Sequence, residues 1–277
     1  MKDDEKKWLI IKLLIVIIPG ILYWVTSDDN FEKKISFNVA VDAGVSSKKS
    51  DEKTLPVVQN SQNNLDLAEK KFEEGFAADN KGDYLTAINL YTQTLELNPN
   101  YARAYHNRGL DYQRTQNFGL ALEDLNKAIP LEPDSAFMYN SRGTIYRSLK
   151  NFNQAISDYD KAIQLDSNYF EAYSNRALAH VELKNYTQAI SDCNAALQLN
   201  PNQADAYLFR AISYGCLLNF NQGIADANMA IQLSEKLSPG NLAVAHQVRG
   251  VCYQQAGDSE KSQADFAQAK ILGYKGN

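Results

Sequence analysis

The chain has 277 residues, a formal net charge of −5, and charged side chains at 22% of positions. Residues 1–64 carry nine basic and nine acidic side chains, so the whole excess of acid falls on the remainder, which disfavours a nucleic-acid-binding surface. The three cysteines, Cys193, Cys216 and Cys252, fall inside predicted helices, give no disulfide framework, and are expected as small packing residues.

After a short tail (1–7), Trp8 to Val25 is an apolar run interrupted only by Lys12, Pro19 and Gly20. Its length reaches the lower end of what spans a bilayer, and Trp8, Tyr23 and Trp24 sit where interfacial aromatics belong. The run predicts a transmembrane signal-anchor helix at 8–25. Lys2, Lys6, Lys7 and Lys12 favour a cytoplasmic amino end, making the protein single-pass in the membrane with the remainder extracytoplasmic, in periplasm or lumen. Val25-Thr26-Ser27 offers a small-residue cleavage site, so the alternative is a signal peptide whose removal leaves a soluble secreted or periplasmic adaptor; bulky Tyr23 and Trp24 weigh against it. Residues 26–64 are rich in Ser, Asp, Asn and Lys without a sustained helical period, and predict a flexible linker.

From residue 65 to residue 272 one pattern recurs. Small residues Gly75, Gly109, Gly143, Ala177, Ala211 and Gly250 are spaced by 34, with a last step of 39, and Ala87, Ala121, Ala155, Ala189, Gly223 and Ser262 repeat the same spacing. Tyr105, Tyr139, Tyr173 and Tyr207 form a third series, and Tyr112, Tyr146, Tyr214 and Tyr253 follow on the same helical face. Between the two small series every copy carries a turn-forming residue: Asp83, Asn117, Asn151, Asn185, Asn219 or Asp258. Each unit therefore reads helix, turn, helix. The approximate units are 68–101, 102–135, 136–169, 170–203, 204–237 and 243–272, with a tail at 273–277.

The set Tyr105, Gly109, Tyr112, Ala121, Leu125, Ala128 and Pro133 resembles the tetratricopeptide repeat (TPR), whose unit is also 34 residues long. The resemblance is to bacterial and plastid members. It implies an all-α fold, a right-handed superhelical solenoid of six helix-turn-helix repeats, preceded here by the transmembrane helix. Ser167 and Glu235 replace the closing proline, and five extra residues, Ser238 to Leu242, predict a longer loop. Pro130 removes a backbone donor and is expected to shorten its helix.

Arg108, Arg142, Arg176, Arg210 and Arg249 each precede an aspartate by sixteen residues: Asp124, Asp158, Asp192, Asp226 and Asp265. Their co-occurrence predicts structural charge pairs within each repeat, because a buried charge without its partner is strongly destabilising. The first copy has Glu74 and Leu90 instead.

The resemblance further implies that the first helix of each pair lines a concave protein-binding groove. On it, Arg103, His106, Asn107, Asn140, Ser141, Arg147, Ser174 and Asn175 predict a hydrogen-bonding wall for an extended peptide, and Leu208, Phe209 and Ile212 an apolar pocket. The fifth positions, Phe72, His106, Asn140, Ser174 and Leu208, lack the lysine by which chaperone-tail clamps of the family hold a terminal carboxylate. No histidines share a metal-binding i, i+4 spacing, and no phosphate loop or nucleophile elbow occurs. The expectation is a membrane-tethered scaffold, not an enzyme, with no cofactor, metal, nucleic acid or small-molecule substrate, binding a protein or peptide ligand in the assembly of a membrane complex.

Overall fold

The computed structural model describes residues 55–274. The predicted membrane helix at 8–25 and most of the predicted linker lie outside the described residues. Among the described residues there are twelve α-helices and no strand: α1 (Leu55–Asp79), α2 (Tyr84–Leu97), α3 (Ala102–Arg114), α4 (Phe118–Leu131), α5 (Ala136–Ser148), α6 (Phe152–Leu165), α7 (Phe170–Glu182), α8 (Tyr186–Leu199), α9 (Ala204–Cys216), α10 (Phe220–Gln232), α11 (Pro239–Ala256) and α12 (Ser259–Ile271). None of these is long and apolar enough to cross a membrane. They form two compact units, one of two repeats (α1–α4) and one of four (α5–α12).

Within each unit the first helix of a repeat packs on its own second helix, and the second helix packs on the next repeat. Each hairpin turns through one left-handed residue: Gly82, Gln116, Lys150, Lys184, Leu218 or Gly257. At the second turn Asn117 N–H donates to the Tyr112 carbonyl at 2.7 Å and Gln116 N–H to the Gln113 carbonyl at 2.9 Å. That is a Schellman closure, and the same pair of bonds recurs at the other five hairpins. The Asp/Asn series follows immediately as helix N-caps. Asp83 and Asp258 accept a backbone N–H through their side chains, whereas the four asparagines make no such bond.

The two small-residue series let the hairpins close, and their size is matched across each hairpin. A Cβ at Gly143 would lie 2.6 Å from the Tyr159 ring, at Gly250 2.7 Å from Phe266, and at Gly75 2.9 Å from Tyr91. Where the second helix carries Cys193 or Ala227 at the equivalent position, the first carries Ala177 or Ala211. An aromatic wedge is thus tolerated only opposite a missing side chain, as close packing requires.

Three local expectations are corrected. The extra residues Ser238–Leu242 form no longer loop: Ser238 caps α11, accepting from Asn241 N–H at 3.1 Å, Pro239 enters at its first turn, and the insertion extends the helix to 18 residues. Pro130 does not shorten α4, which has 14 residues like α2, α6 and α8. It sits in the last turn, where the missing donor affects only the helix end. The predicted linker is helical from Leu55 onward, and α1 accepts Pro56 in its first turn. This extension is exposed between Gln62 and Leu67, so it is held by its backbone ladder more than by packing.

Gly143→Ala should lower unfolding stability by about 1–3 kcal/mol through overpacking against Tyr159. Gly109→Ala, whose new methyl would meet nothing closer than 3.3 Å, should stay within about 1 kcal/mol of the parent in the same urea titration. Lys184, with φ of 62°, is exposed, so Lys184→Gly relieves left-handed strain and should raise stability by about 1 kcal/mol; a loss would mean its side chain has a packing role.

Candidate protein-binding surface

The five arginine–aspartate pairs join the two helices of each repeat. Arg108 donates Nε and Nη2 to the two carboxylate oxygens of Asp124, both at 2.8 Å. The same two-pronged geometry recurs in Arg142–Asp158, Arg176–Asp192, Arg210–Asp226 and Arg249–Asp265, with distances between 2.6 and 2.9 Å. Sequence spacing did not disclose the third prong. Nη1 of Arg108, Arg176, Arg210 and Arg249 reaches the preceding repeat, donating to Thr92, Asp160, Asn194 and Asn228 respectively. The tyrosine series flanks these guanidiniums: Arg108 lies 5.7 Å from the Tyr105 ring and 5.8 Å from Tyr112. Hydrogen bonding to Asp158 and Asp226 holds Arg142 and Arg210 above the ordinary arginine range. His246 adds Nδ1 to Asp265 at 2.9 Å, so it belongs to the structural network.

In the two-repeat unit, Arg103 is exposed with its guanidinium 4.6 Å from the Phe72 ring centroid. His106 Nδ1 and Asn107 Oδ1 lie 3.2 Å apart, and Asn107 donates to the Tyr91 hydroxyl at 3.4 Å. Burial pushes the His106 imidazole down to about 4, with Arg114 and Arg103 adding to the shift, so it is neutral at physiological pH.

In the four-repeat unit the predicted wall is largely spent on its own fold. Asn140 is buried, donates to the Tyr169 hydroxyl at 3.1 Å, and accepts from Asn175 at 3.0 Å. Ser141 and Ser174 are buried, and Arg147 is the largest fully buried side chain, 1% exposed. The apolar pocket is a correction: Leu208, Phe209 and Ile212 are core residues, packed with Val244, Val248 and Val251 of α11. A first-helix position that looks outward in one hairpin is covered once α11 packs directly on α9.

Sequence reasoning overlooked two charged constellations. Arg114 reaches Asp79 at 2.5 Å and Asp111 at 2.9 Å, and it stacks on Tyr84. Burial, then the neighbouring Asp79 charge, push the Asp111 carboxyl up to about 8 against the pull of Arg114. The second constellation is Arg147 with Glu182. Each pairs position twelve of one repeat with position thirteen of the next, and that 35-residue spacing was available in the sequence. The three cysteines are buried and unbridged. Among the described residues no group of three or more His, Cys, Asp or Glu could hold a metal ion.

Antiparallel helix pairs of fixed period, stapled within and between repeats, define a helical-hairpin repeat protein. Family profiles give the repeat its name: one described as TPR repeat matches residues 80–116 and 143–184, and two described as tetratricopeptide repeat match 102–135 and 170–203. The chain carries tetratricopeptide repeats. Human serine/threonine-protein phosphatase 5 is 51% identical over 47 residues, 17% of this chain, and the chain spans only 9% of that protein's length. Among solved structures, PilW, a widely conserved type IV pilus biogenesis factor, superposes with a TM-score of 0.65 at 18% identity, over 74% of this chain and 92% of that one. YrrB, a TPR protein with an unusual peptide-binding site, superposes at 0.53 with 18% identity, over 69% of this chain and 96% of that one. These two share the fold.

Because the folded state binds a proton at Asp111 that the unfolded state releases near pH 4, stability falls as pH rises through the window ending near 8. In the full chain the urea midpoint should therefore decline between about pH 5 and 8 and level off above it, and Asp111→Asn should flatten the decline. An unchanged slope in the variant would assign the pH dependence to another group.

Proposed function

We propose that this chain is a non-catalytic scaffold that binds a protein or peptide segment through the first helices of its repeats. The observation that carries the reading is the run of tetratricopeptide repeats whose first helices keep polar side chains partly exposed: Arg103, His106 and Asn107 in one unit, Asn175 in the other. Amide and guanidinium groups of this kind match an extended backbone, which offers one donor and one acceptor per residue. The peptide-binding description of YrrB supports the same reading. We place the repeats on the extracytoplasmic side of a membrane, held by residues 8–25 through the following linker. A tether raises local concentration, so individually weak contacts suffice there. Assembly of a membrane complex is the setting we favour, and the pilus-biogenesis role of PilW lends it support.

Random dodecapeptides selected on the full chain should include binders whose affinity drops at least about tenfold in Arg103→Ala or Asn175→Ala, with the thermal midpoint of Arg103→Ala staying put, consistent with loss of about 1.4 kcal/mol per contact. Binders indifferent to both substitutions would move the surface elsewhere. A carboxy-terminal tag cleaved by protease from outside an intact inner membrane supports the proposed topology, and protection rejects it. An intact mass starting near Asp28 would replace the anchor by a cleaved leader.

A further inference from the structure

Position twelve of one repeat and position thirteen of the next are neighbours. In the two-repeat unit these positions are Asp79 and Arg114, joined at 2.5 Å. In the four-repeat unit they are Arg147 and Glu182, with the signs exchanged. Here the pair does not close: Arg147 Nε and Nη1 and the Glu182 Oε1 atom are all buried without a hydrogen-bond partner. The Arg147 charge acts on Glu182, and the guanidinium also lies within interaction range of the Tyr159 hydroxyl of α6.

A guanidinium that is 1% exposed and lacks a closed ion pair carries a desolvation cost that such a pair would have offset. The cluster is rich in donors and poor in acceptors. Its one acidic member is a weak match: burial pushes the Glu182 carboxyl up to about 7 despite Arg147 and Lys150, so much of it is uncharged at neutral pH. Glu182 is itself partly exposed, so the guanidinium lies behind a side chain that faces solvent. The planar fork of arginine is matched best by a carboxylate, which can accept two parallel N–H bonds.

We propose that Arg147 is a carboxylate-binding residue of the four-repeat unit: a carboxylate carried by a bound peptide passes Glu182 and seats on the Arg147 guanidinium, with the Tyr159 hydroxyl as a further donor. This rests on the peptide-scaffold reading and locates one anchor within it. Glu182 is the internal competitor for the same cation.

The test follows the arginine Nε–H resonances of the full chain by nitrogen-15 NMR, with Arg147 assigned by the signal lost in Arg147→Met. N-acetylglutamate amide presents a side-chain carboxylate, N-acetylalanine a terminal one, and acetamide neither. One or both carboxylates should shift the Arg147 signal saturably, acetamide should not, and Glu182→Gln should tighten binding at least about threefold. The probe that binds better identifies the source of the carboxylate. Arg147→Met should abolish binding measured by calorimetry while its thermal midpoint equals or exceeds that of the parent. The assignment is overturned if neither parent nor Glu182→Gln responds, if Arg147→Met binds the probe equally well, or if Arg147→Met melts as early as Arg176→Met. Selected peptides that bind the full chain without any dependence on Arg147 or on an acidic group would also overturn it, leaving the scaffold reading intact.

Discussion

Everything else in this protein depends on how a hairpin of two short helices is made to stay closed and to hold its neighbour. Helices of about 13 or 14 residues are marginal alone, so the stability of each comes from packing. The arginine–aspartate staple answers this with a single side chain. Two prongs close the arginine's own hairpin onto the aspartate, and the third prong of Arg108, Arg176, Arg210 and Arg249 reaches back to the second helix of the preceding repeat. Its planar fork makes this possible, because three N–H directions are fixed by one rigid group, and a lysine would offer a point charge without that geometry. Aromatic rings on either side shield the pair from water and strengthen it, while the aliphatic stem packs between helices.

The second constraint is steric. One small residue per helix allows close approach, and its size follows that of the residue opposite: glycine faces Tyr91, Tyr159 and Phe266, and alanine faces Cys193 and Ala227. The exchange explains why the repeats diverge in sequence without diverging in helix length. It also explains the burial of Tyr159, whose hydroxyl is carried deep enough into the fourfold stack to meet the Arg147 charge.

These demands compete with the proposed binding for the same first helices. In the four-repeat unit the core extends across positions that a hairpin in isolation would leave open, consuming Leu208, Phe209 and Ile212 and tying Asn140 between Tyr169 and Asn175. What remains exposed on the first helices is a smaller, more polar surface. The closed Asp79–Arg114 pair and the open Arg147–Glu182 pair differ in this respect too, since in the second the arginine Nε and Nη1 and a carboxylate oxygen stay unbonded.

The period, the number of repeats, the helix–turn–helix unit and the arginine–aspartate pairing were all legible in the sequence, because each rests on local spacing that recurs: a 34-residue step, a seven-residue tyrosine step, a sixteen-residue charge step. Local chemistry also marked the turns, although it did not disclose that Gln116, Lys150, Lys184 and Leu218 adopt a left-handed backbone, since none is a residue that favours it. Tertiary structure alone decided which first-helix residues face solvent, because exposure depends on how far the next repeat covers each position, as α11 covers α9. It likewise decided that the insertion before the last repeat is helical, that Asp111 shares Arg114 with Asp79, and that Arg147 and Glu182 stand near each other without closing. Those outcomes are set by distances between side chains that lie on different helices, and where a spacing does not recur from repeat to repeat, as the sixteen-residue charge step does, it does not say whether two such groups finally meet.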